Sequence, residues 1–242
     1  TGDPKRLYFT KEDQQLTIDF FGVGMSTLAN ENDKVLICLP GQTSGSVGDL
    51  LRVGLQGIGA VPLVFGSVDD LQSVYQFIHD HKPDCYVGSP LQMLGLARRW
   101  PIYLTSPKRI LLSTDYLTNA VAQTLKQTWQ CEIFDHYGST EMGLGGGVEC
   151  EAHQGLHMRE ADMLYEIIDP QSGEVLKDGE YGELVLTTLQ REAMPLLRYR
   201  TRDLTRFIPG PCECGRTHRR IERIKGRSDD MLIINGVNIY PI

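Results

Sequence analysis

CEIFDHYGSTEMGLGGG, residues 131–147, is the stretch that decides the fold. It opens on a short apolar run and passes directly into polar and glycine-rich residues. An apolar run bounded in this way reads as a buried strand with a loop leaving its carboxyl end. Upstream the same pattern recurs. KVLICL (34–39) is another such run, closed by Asp33 on one side and Pro40-Gly41 on the other. GDLLRVGLQGIG then has helical spacing, AVPLVF is strand-like, and DDLQSVYQFIHDH is amphipathic. DCYVG, PLQMLGLARRW, KRILLS, LTNAVAQTLKQTW and CEIFDHY continue the alternation. Such alternation predicts an α/β fold, a mostly parallel sheet with crossover helices. Nearer the start, Thr10-Lys11-Glu12-Asp13 reads as a helix opening, with Thr10 as cap and Asp13 as the capping-box acid.

Downstream of about residue 155 the texture changes. MLYEIID, YGELVLTT, PLLRYR and LTRFI are strand-like and separated by turn sequences such as Lys177-Asp178-Gly179. They predict a smaller antiparallel β subdomain. The expected division is 1–155 for the α/β part, 156–227 for the β-rich part, and 228–242 for a hinge and the start of a further domain. GRSDDMLIINGVNIYPI in that last segment opens another strand pair.

Composition narrows the function classes. The 242 residues hold 24 Lys and Arg against 31 Asp and Glu, a net charge of −7, with 41% hydrophobic residues. Ordinary apolar content excludes wholesale disorder. The acidic balance disfavours nucleic acid as partner, since that affinity rests on neutralising phosphates. No apolar run reaches the roughly 18 residues of a membrane helix, and no signal-like stretch opens the chain. Six cysteines are too sparse for a disulfide scaffold, so the expected setting is the reducing cytoplasm. A homodimer is left open.

The loop after CEIF holds the chemistry. In open α/β sheets, ligands bind at the carboxyl ends of parallel strands. There Tyr137 offers a flat face for a purine and Gly138 lets backbone approach a ligand. Ser139 and Thr140 offer hydroxyls to phosphate oxygens, and Glu141 suits Mg²⁺, which takes a carboxylate together with substrate phosphates. The plain alternative is a glycine-rich turn with a helix cap.

Three motifs in order then carry a resemblance. Tyr-Gly-Ser-Thr-Glu (137–141), Tyr199-Arg200-Thr201-Arg202-Asp203 and Gly226-Arg227-Ser228-Asp229-Asp230 resemble the acyl-adenylate-forming enzymes. Within them, the chain is similar to the phenylacetate-CoA ligase branch over nearly its whole length. The resemblance implies an ATP-dependent acid–CoA ligase, in which a carboxylic acid and MgATP give acyl-AMP and CoA then takes the acyl group. It implies that Asp135 contacts the adenine amino group, that Tyr137 stacks on the ring, and that Thr140 meets the α-phosphate while Glu141 holds magnesium. Asp203 would accept from the ribose hydroxyls, Arg227 would reach ribose or phosphate, and Asp229 matches the hinge. Ser113-Thr114-Asp115 would lay backbone against adenine. Tyr137, Glu141 and Asp203 are expected to rim one nucleotide crevice. His136 either lines the acyl pocket or is a packed strand histidine.

Thr1-Gly2-Asp3-Pro4-Lys5 resembles only the tail of the family's phosphate loop, no residue matches the lysine of the family's C-terminal small domain, and that domain is expected to be missing from this stretch of sequence. The expectation is that the chain by itself catalyses poorly. Separately, Cys212-Glu213-Cys214-Gly215 is a knuckle suited to tetrahedral Zn²⁺. Cys150, His153 and His157 compete to complete it, with Cys150 and His157 favoured. The ion is expected to be structural and to clamp the β subdomain to the α/β part.

Overall fold

The computed structural model describes residues 6–100, 107–230, 232–234 and 237–239; residues 1–5, read above as the tail of a phosphate loop, lie outside them. The chain divides into two units, Gln14–Val148 and Thr1–Asp13 with Glu149–Ile242.

In the unit Gln14–Val148, the apolar runs become strands and the amphipathic segments between them become helices. The elements are α1 (Lys11–Met25), β1 (Lys34–Ile37), α2 (Val47–Gly57), β2 (Val61–Val64), α3 (Leu71–His81) and β3 (Cys85–Gly88). They continue with α4 (Pro90–Arg99), β4 (Arg109–Leu112), α5 (Asn119–Trp129), β5 (Glu132–Tyr137) and β6 (Gly147–Glu149). The strand order is β6-β5-β4-β3-β1-β2. The neighbours from β5 to β2 are parallel and β6 alone runs antiparallel to β5. Strands buried on both faces need cover on both sides, and two apolar clusters supply it. Phe21 and Met25 of α1 and Leu50, Leu51 and Leu55 of α2 pack with Val35, Ile37, Val87 and Phe134. Val74 and Ile78 of α3, Met93 and Leu96 of α4, and Leu125 and Trp129 of α5 pack with Leu36, Tyr86, Ile110 and Ile133 on the other face. Adjacent strand residues alternate between the two clusters, as the two-residue period of a strand requires.

Local chemistry sets the helix ends. The Asp70 carboxylate accepts from the backbone N–H groups of Gln72 and Ser73, Ser89 caps α4 with Pro90 behind it, and Thr118 accepts from Val121 N. Each such cap stabilises its helix by about 1 kcal/mol.

The unit containing Glu149–Ile242 opens on the Thr10 capping box. Thr10 N donates to Asp13 Oδ2 at 2.9 Å and Asp13 N donates to Thr10 Oγ1 at 3.0 Å. Asp13 also accepts from the N–H groups of Glu192 and Ala193. Its strands are β7 (Leu156–Met158), β8 (Met163–Ile168), β9 (Gly182–Thr188), β10 (Tyr199–Thr205), β11 (Phe207–Ile208) and β12 (Arg220–Ile221), followed by a 3₁₀ turn at Ser228–Asp230 and the pair β13 (Leu232–Ile234) and β14 (Val237–Ile239). β10-β9-β8 and β11-β12-β7 are each antiparallel. The two strand-like segments divide differently from their sequence bounds: β10 spans the end of PLLRYR and the start of LTRFI, and the end of LTRFI forms the short β11. The register of β10 on β9 shifts between Arg200 and Leu204, where Arg202 turns to φ +70°. A bulge of this kind lets one strand continue through a residue in the left-handed region.

Candidate functional site

The loop predicted to handle a nucleotide leaves the carboxyl end of β5, which pairs in parallel with β4 and antiparallel with β6. Asp135 is buried, and its Oδ1 accepts from His136 N at 3.0 Å. Tyr137 is half-buried, and its carbonyl accepts from Gly146 N at 3.0 Å. Ser139 O accepts from Leu144 N at 2.8 Å and Met142 N at 3.2 Å, while Thr140 O accepts from Gly143 N at 3.0 Å. The chain therefore folds back on itself across residues 138–144. Gly138 makes that possible, since a Cβ there would lie 2.3 Å from Leu144 O. Thr17 of α1 ties the same loop down, its hydroxyl donating to Gly143 O at 2.8 Å. Thr140 is left on the surface and Glu141 half-buried beside it.

Beside this loop, at the end of β4, lie Ser113, Thr114 and Asp115. Thr114 is exposed and adopts φ +77°, a conformation that costs a β-branched residue of order 1–3 kcal/mol. Ser113 Oγ and His136 Nδ1 meet at 2.8 Å, because β4 and β5 pair in parallel with Leu112 opposite Asp135. Burial pushes His136 down to about 4, so the ring is neutral at physiological pH.

In the unit containing Glu149–Ile242, the structure brings Asp203, Arg227 and Asp229 together. Asp203 and Arg227 form a β-bridge, and Arg227 Nη1 donates to Asp203 Oδ1 at 3.2 Å. Arg227 also grips Asp229 with two bonds, Nε to Oδ1 at 2.9 Å and Nη2 to Oδ2 at 3.1 Å. Those bonds hold the Asp229 carboxyl below its usual range. Sequence reasoning passed over the residue beneath this group, Glu183. It is fully buried and accepts from Arg200 Nε at 3.1 Å, Arg202 N at 3.1 Å and Ser228 Oγ at 3.2 Å. Burial alone would raise Glu183, but the Arg200 hydrogen bond and charge outweigh it, and the carboxyl lies below the ordinary glutamate value. The available signal was an acid inside an apolar run, GELVLTT, with arginines on a neighbouring strand-like segment.

The same unit holds a second cluster. Cys150, His157, Cys212 and Cys214 offer ligand atoms that all lie within 4.8 Å of one another. Cys150 Sγ is 3.6 Å from Cys212 Sγ, and Cys214 Sγ is 3.3 Å from His157 Nε2. Tetrahedral zinc with bonds of about 2.0–2.3 Å sets ligand atoms at this kind of separation. His157 Nδ1 is 3.2 Å from His218 O, which directs Nε2 toward the thiols. His153 instead sets Nδ1 3.4 Å from Glu149 Oε2. All four donors lie in one unit, so an ion there ties segments of that unit to one another rather than one unit to the other.

A mostly parallel sheet with helices on both faces, a loop folded tightly at the end of β5, and the motifs at 137–141, 199–203 and 226–230 define the class. Residues 1–190 match the family model of AMP-binding enzymes, and the chain belongs to that family. It is 36% identical to the phenylacetate-coenzyme A ligase of Pseudomonas putida, across the whole of this chain and 56% of that one. It is 41% identical to the enzyme of the same name from Aromatoleum evansii, across 83% of this chain and 46% of that one. The chain thus spans about half the length of the curated relatives it matches. Among solved structures, an open conformation of 2-hydroxyisobutyryl-CoA ligase in complex with 2-HIB-AMP and CoA shares the fold, with a TM-score of 0.87 at 22% identity over 100% of this chain and 59% of that one. Among the described residues no helix is long and apolar enough to cross a membrane.

Proposed function

We propose that the protein carrying this chain is an acid–CoA ligase, which activates a carboxylic acid with MgATP to acyl-AMP and passes the acyl group to CoA. The observation that supports it most is the loop after β5, which folds back through Gly138 and leaves the Thr140 hydroxyl at the surface beside Glu141. Adenylation asks a protein for positioning and for charge stabilisation at the transferring phosphorus. In this reading Asp135, Tyr137, Gly138 and Ser139 bind the nucleoside, Thr140 contacts the α-phosphate, and Glu141 takes magnesium, which would offset phosphate charge. Asp203 accepts from the ribose hydroxyls, with Arg227 and the hinge residue Asp229 beside it, and Ser113, Thr114 and Asp115 border the base. Zn²⁺ at Cys150, His157, Cys212 and Cys214 is structural, since four protein ligands leave no open position. Reducing cytoplasm suits that thiol set.

The test is ATP–pyrophosphate exchange by the full-length protein, scanned over aryl and aliphatic acids, followed by CoA addition. Exchange is expected with at least one acid, and acyl-CoA on adding the thiol. Thr140→Ala and Glu141→Gln are each expected to slow exchange by about 100-fold or more, the scale of losing one preorganised electrostatic contact, while circular dichroism stays unchanged. Full exchange activity in both variants would remove these residues from the site.

A further inference from the structure

Among the six cysteines, Cys214 alone is not buried. Cys38, Cys85 and Cys131 are buried in the other unit, and Cys150 and Cys212 are the buried partners of Cys214 in the four-donor cluster. Arg216 stands beside the open thiol, with Nη1 4.0 Å from Cys214 Sγ. Glu151 anchors that guanidinium, its Oε2 lying 3.4 Å from the same nitrogen. Partial exposure next to a cation is the setting in which a thiolate meets and reacts with an oxidant. A thiol that ligates a metal is already deprotonated, so Cys214 needs no base. The turn around it is uncrowded. Gly210 and Gly215, at φ +83° and +79°, have no atom within 4 Å of where a Cβ would stand.

A second feature keeps the neighbouring thiols within reach whether or not a metal binds. Arg220 is buried, and its Nη2 donates to Gly210 O at 3.0 Å and to Pro211 O at 3.1 Å. Its Nη1 donates to Gln154 O at 2.9 Å. These bonds tie the residues just before Cys212 to the segment between Cys150 and His157. Pairing of β12 with β7, Arg220 opposite His157, adds to the tie. None of these contacts uses a ligand atom of the cluster, so the brace does not depend on an ion. A sulfur oxidised at Cys214 therefore has a second thiol within 4.8 Å. Cys150 is the better partner. Cys212 shares a turn with Cys214, closed by Gly215 N donating to Cys212 O at 3.0 Å. A bridge across so short a turn departs from relaxed disulfide geometry.

We propose that Cys214 is an oxidation site for hydroperoxides, that Cys150 is its resolving thiol, and that closing this pair dismantles the four-donor set. The Cys214 thiolate attacks one oxygen of hydrogen peroxide; the S–O bond forms, the O–O bond breaks, and hydroxide leaves. The Cys150 thiolate then attacks the sulfenic sulfur, forming the disulfide and expelling a second hydroxide. Two thiolates lose two electrons, the peroxide gains them, and two protons from solvent turn both hydroxides into water. His157 and Cys212, the two ligands left, cannot fill a tetrahedral site. The inference rests on the zinc reading for this consequence but not for the chemistry at sulfur. Full-length protein would be treated with a small excess of hydrogen peroxide while a colorimetric chelator reports freed zinc. Thiols would then be blocked and the chain mapped by mass spectrometry after cleavage at glutamate, which separates Cys212 from Cys214 at Glu213. The expected result is a Cys150–Cys214 cross-link, release of about one equivalent of zinc in step with it, and reversal by dithiothreitol with added zinc. Cys38, Cys85 and Cys131 should stay reduced. Arg216→Ala, which keeps all four donors, should retain its metal and oxidise about fivefold more slowly. Oxidation beginning at another cysteine, a bridge from Cys212 to Cys214, zinc retained after the cross-link forms, or an unchanged rate in Arg216→Ala would overturn the proposal. Protein purified without zinc that still closes the Cys150–Cys214 bridge would remove the metal reading and support the oxidation site.

Discussion

Glu183→Ala is expected to lower the stability of the protein by about 3 kcal/mol at pH 7, or roughly 6–12 °C in melting temperature for a domain of this size. Glu183 has no exposed surface, and its carboxylate collects the Arg200 guanidinium, the Arg202 N–H and the Ser228 hydroxyl. Removing it leaves two polar donors without their partner and Arg200 without its counter-charge. The Arg200 side chain is 35% exposed, so water screens part of that loss, which places the effect at the lower end of the range for a broken buried pair. The pH dependence follows from the direction of the shift. Glu183 is held below its ordinary value in the folded chain, so its contribution is fully present above the unfolded glutamate value of about 4.3 and fades as pH falls through the lower folded value. Glu183→Gln should therefore cost most at neutral pH, and the gap to wild type should narrow below about pH 4. Denaturant melts at pH 7 and pH 3.5 check this; a gap of constant size would mean that the charge contributes nothing. A second consequence concerns geometry. Glu183 holds the N–H of Arg202, the left-handed residue just before Asp203, while Asp203 N donates to Thr201 Oγ1 at 3.1 Å. The variant should bind AMP more weakly than its loss of stability explains.

The strand–helix order was legible because every signal for it is local. KVLICL, DCYVG and CEIF are apolar runs short enough for strands, and the Thr10–Asp13 capping box closes within one helical turn. What stayed hidden depends on register. Glu183 meets Arg200 and Arg202 across 17 and 19 residues, only because β9 and β10 pair with a bulge between Arg200 and Leu204. Under simple alternation a lone acid in YGELVLTT reads as facing solvent. Ser113 and His136 are 23 residues apart and meet one step beyond the last paired residues of β4 and β5. The positive φ of Thr114 and Arg202 leaves no trace in residue types that ordinarily avoid that region. The thiol cluster is intermediate. Its donors stand out by type, but the separation of His157 from His153 required knowing that β7 directs one ring to the thiols while the other turns to Glu149.

Purified full-length protein is expected to hold about one equivalent of zinc, and Cys214→Ala to hold almost none. Cys150 and Cys212 come from chain segments 62 residues apart, and His157 and Cys214 from segments 57 apart, so the ion would close two long loops of one unit at once. Binding energy at a site that the unfolded chain does not preform is folding energy. A metal present at a thousandfold its Kd stabilises by about 4 kcal/mol, so Cys214→Ala should melt roughly 8–16 °C lower. Chelator should shift wild type toward the same value and leave the variant where it is. Cobalt in place of zinc supplies an optical readout, with the absorption pattern of a tetrahedral three-thiolate, one-imidazole site expected in wild type and lost in the variant. Cys131→Ala is the control, since that thiol is buried in the other unit and is not among the four donors, and the variant should keep its metal even if it is less stable. Equal metal content in Cys214→Ala and Cys131→Ala would sink the assignment, because a structural tetrahedral site cannot lose a thiolate and keep its affinity.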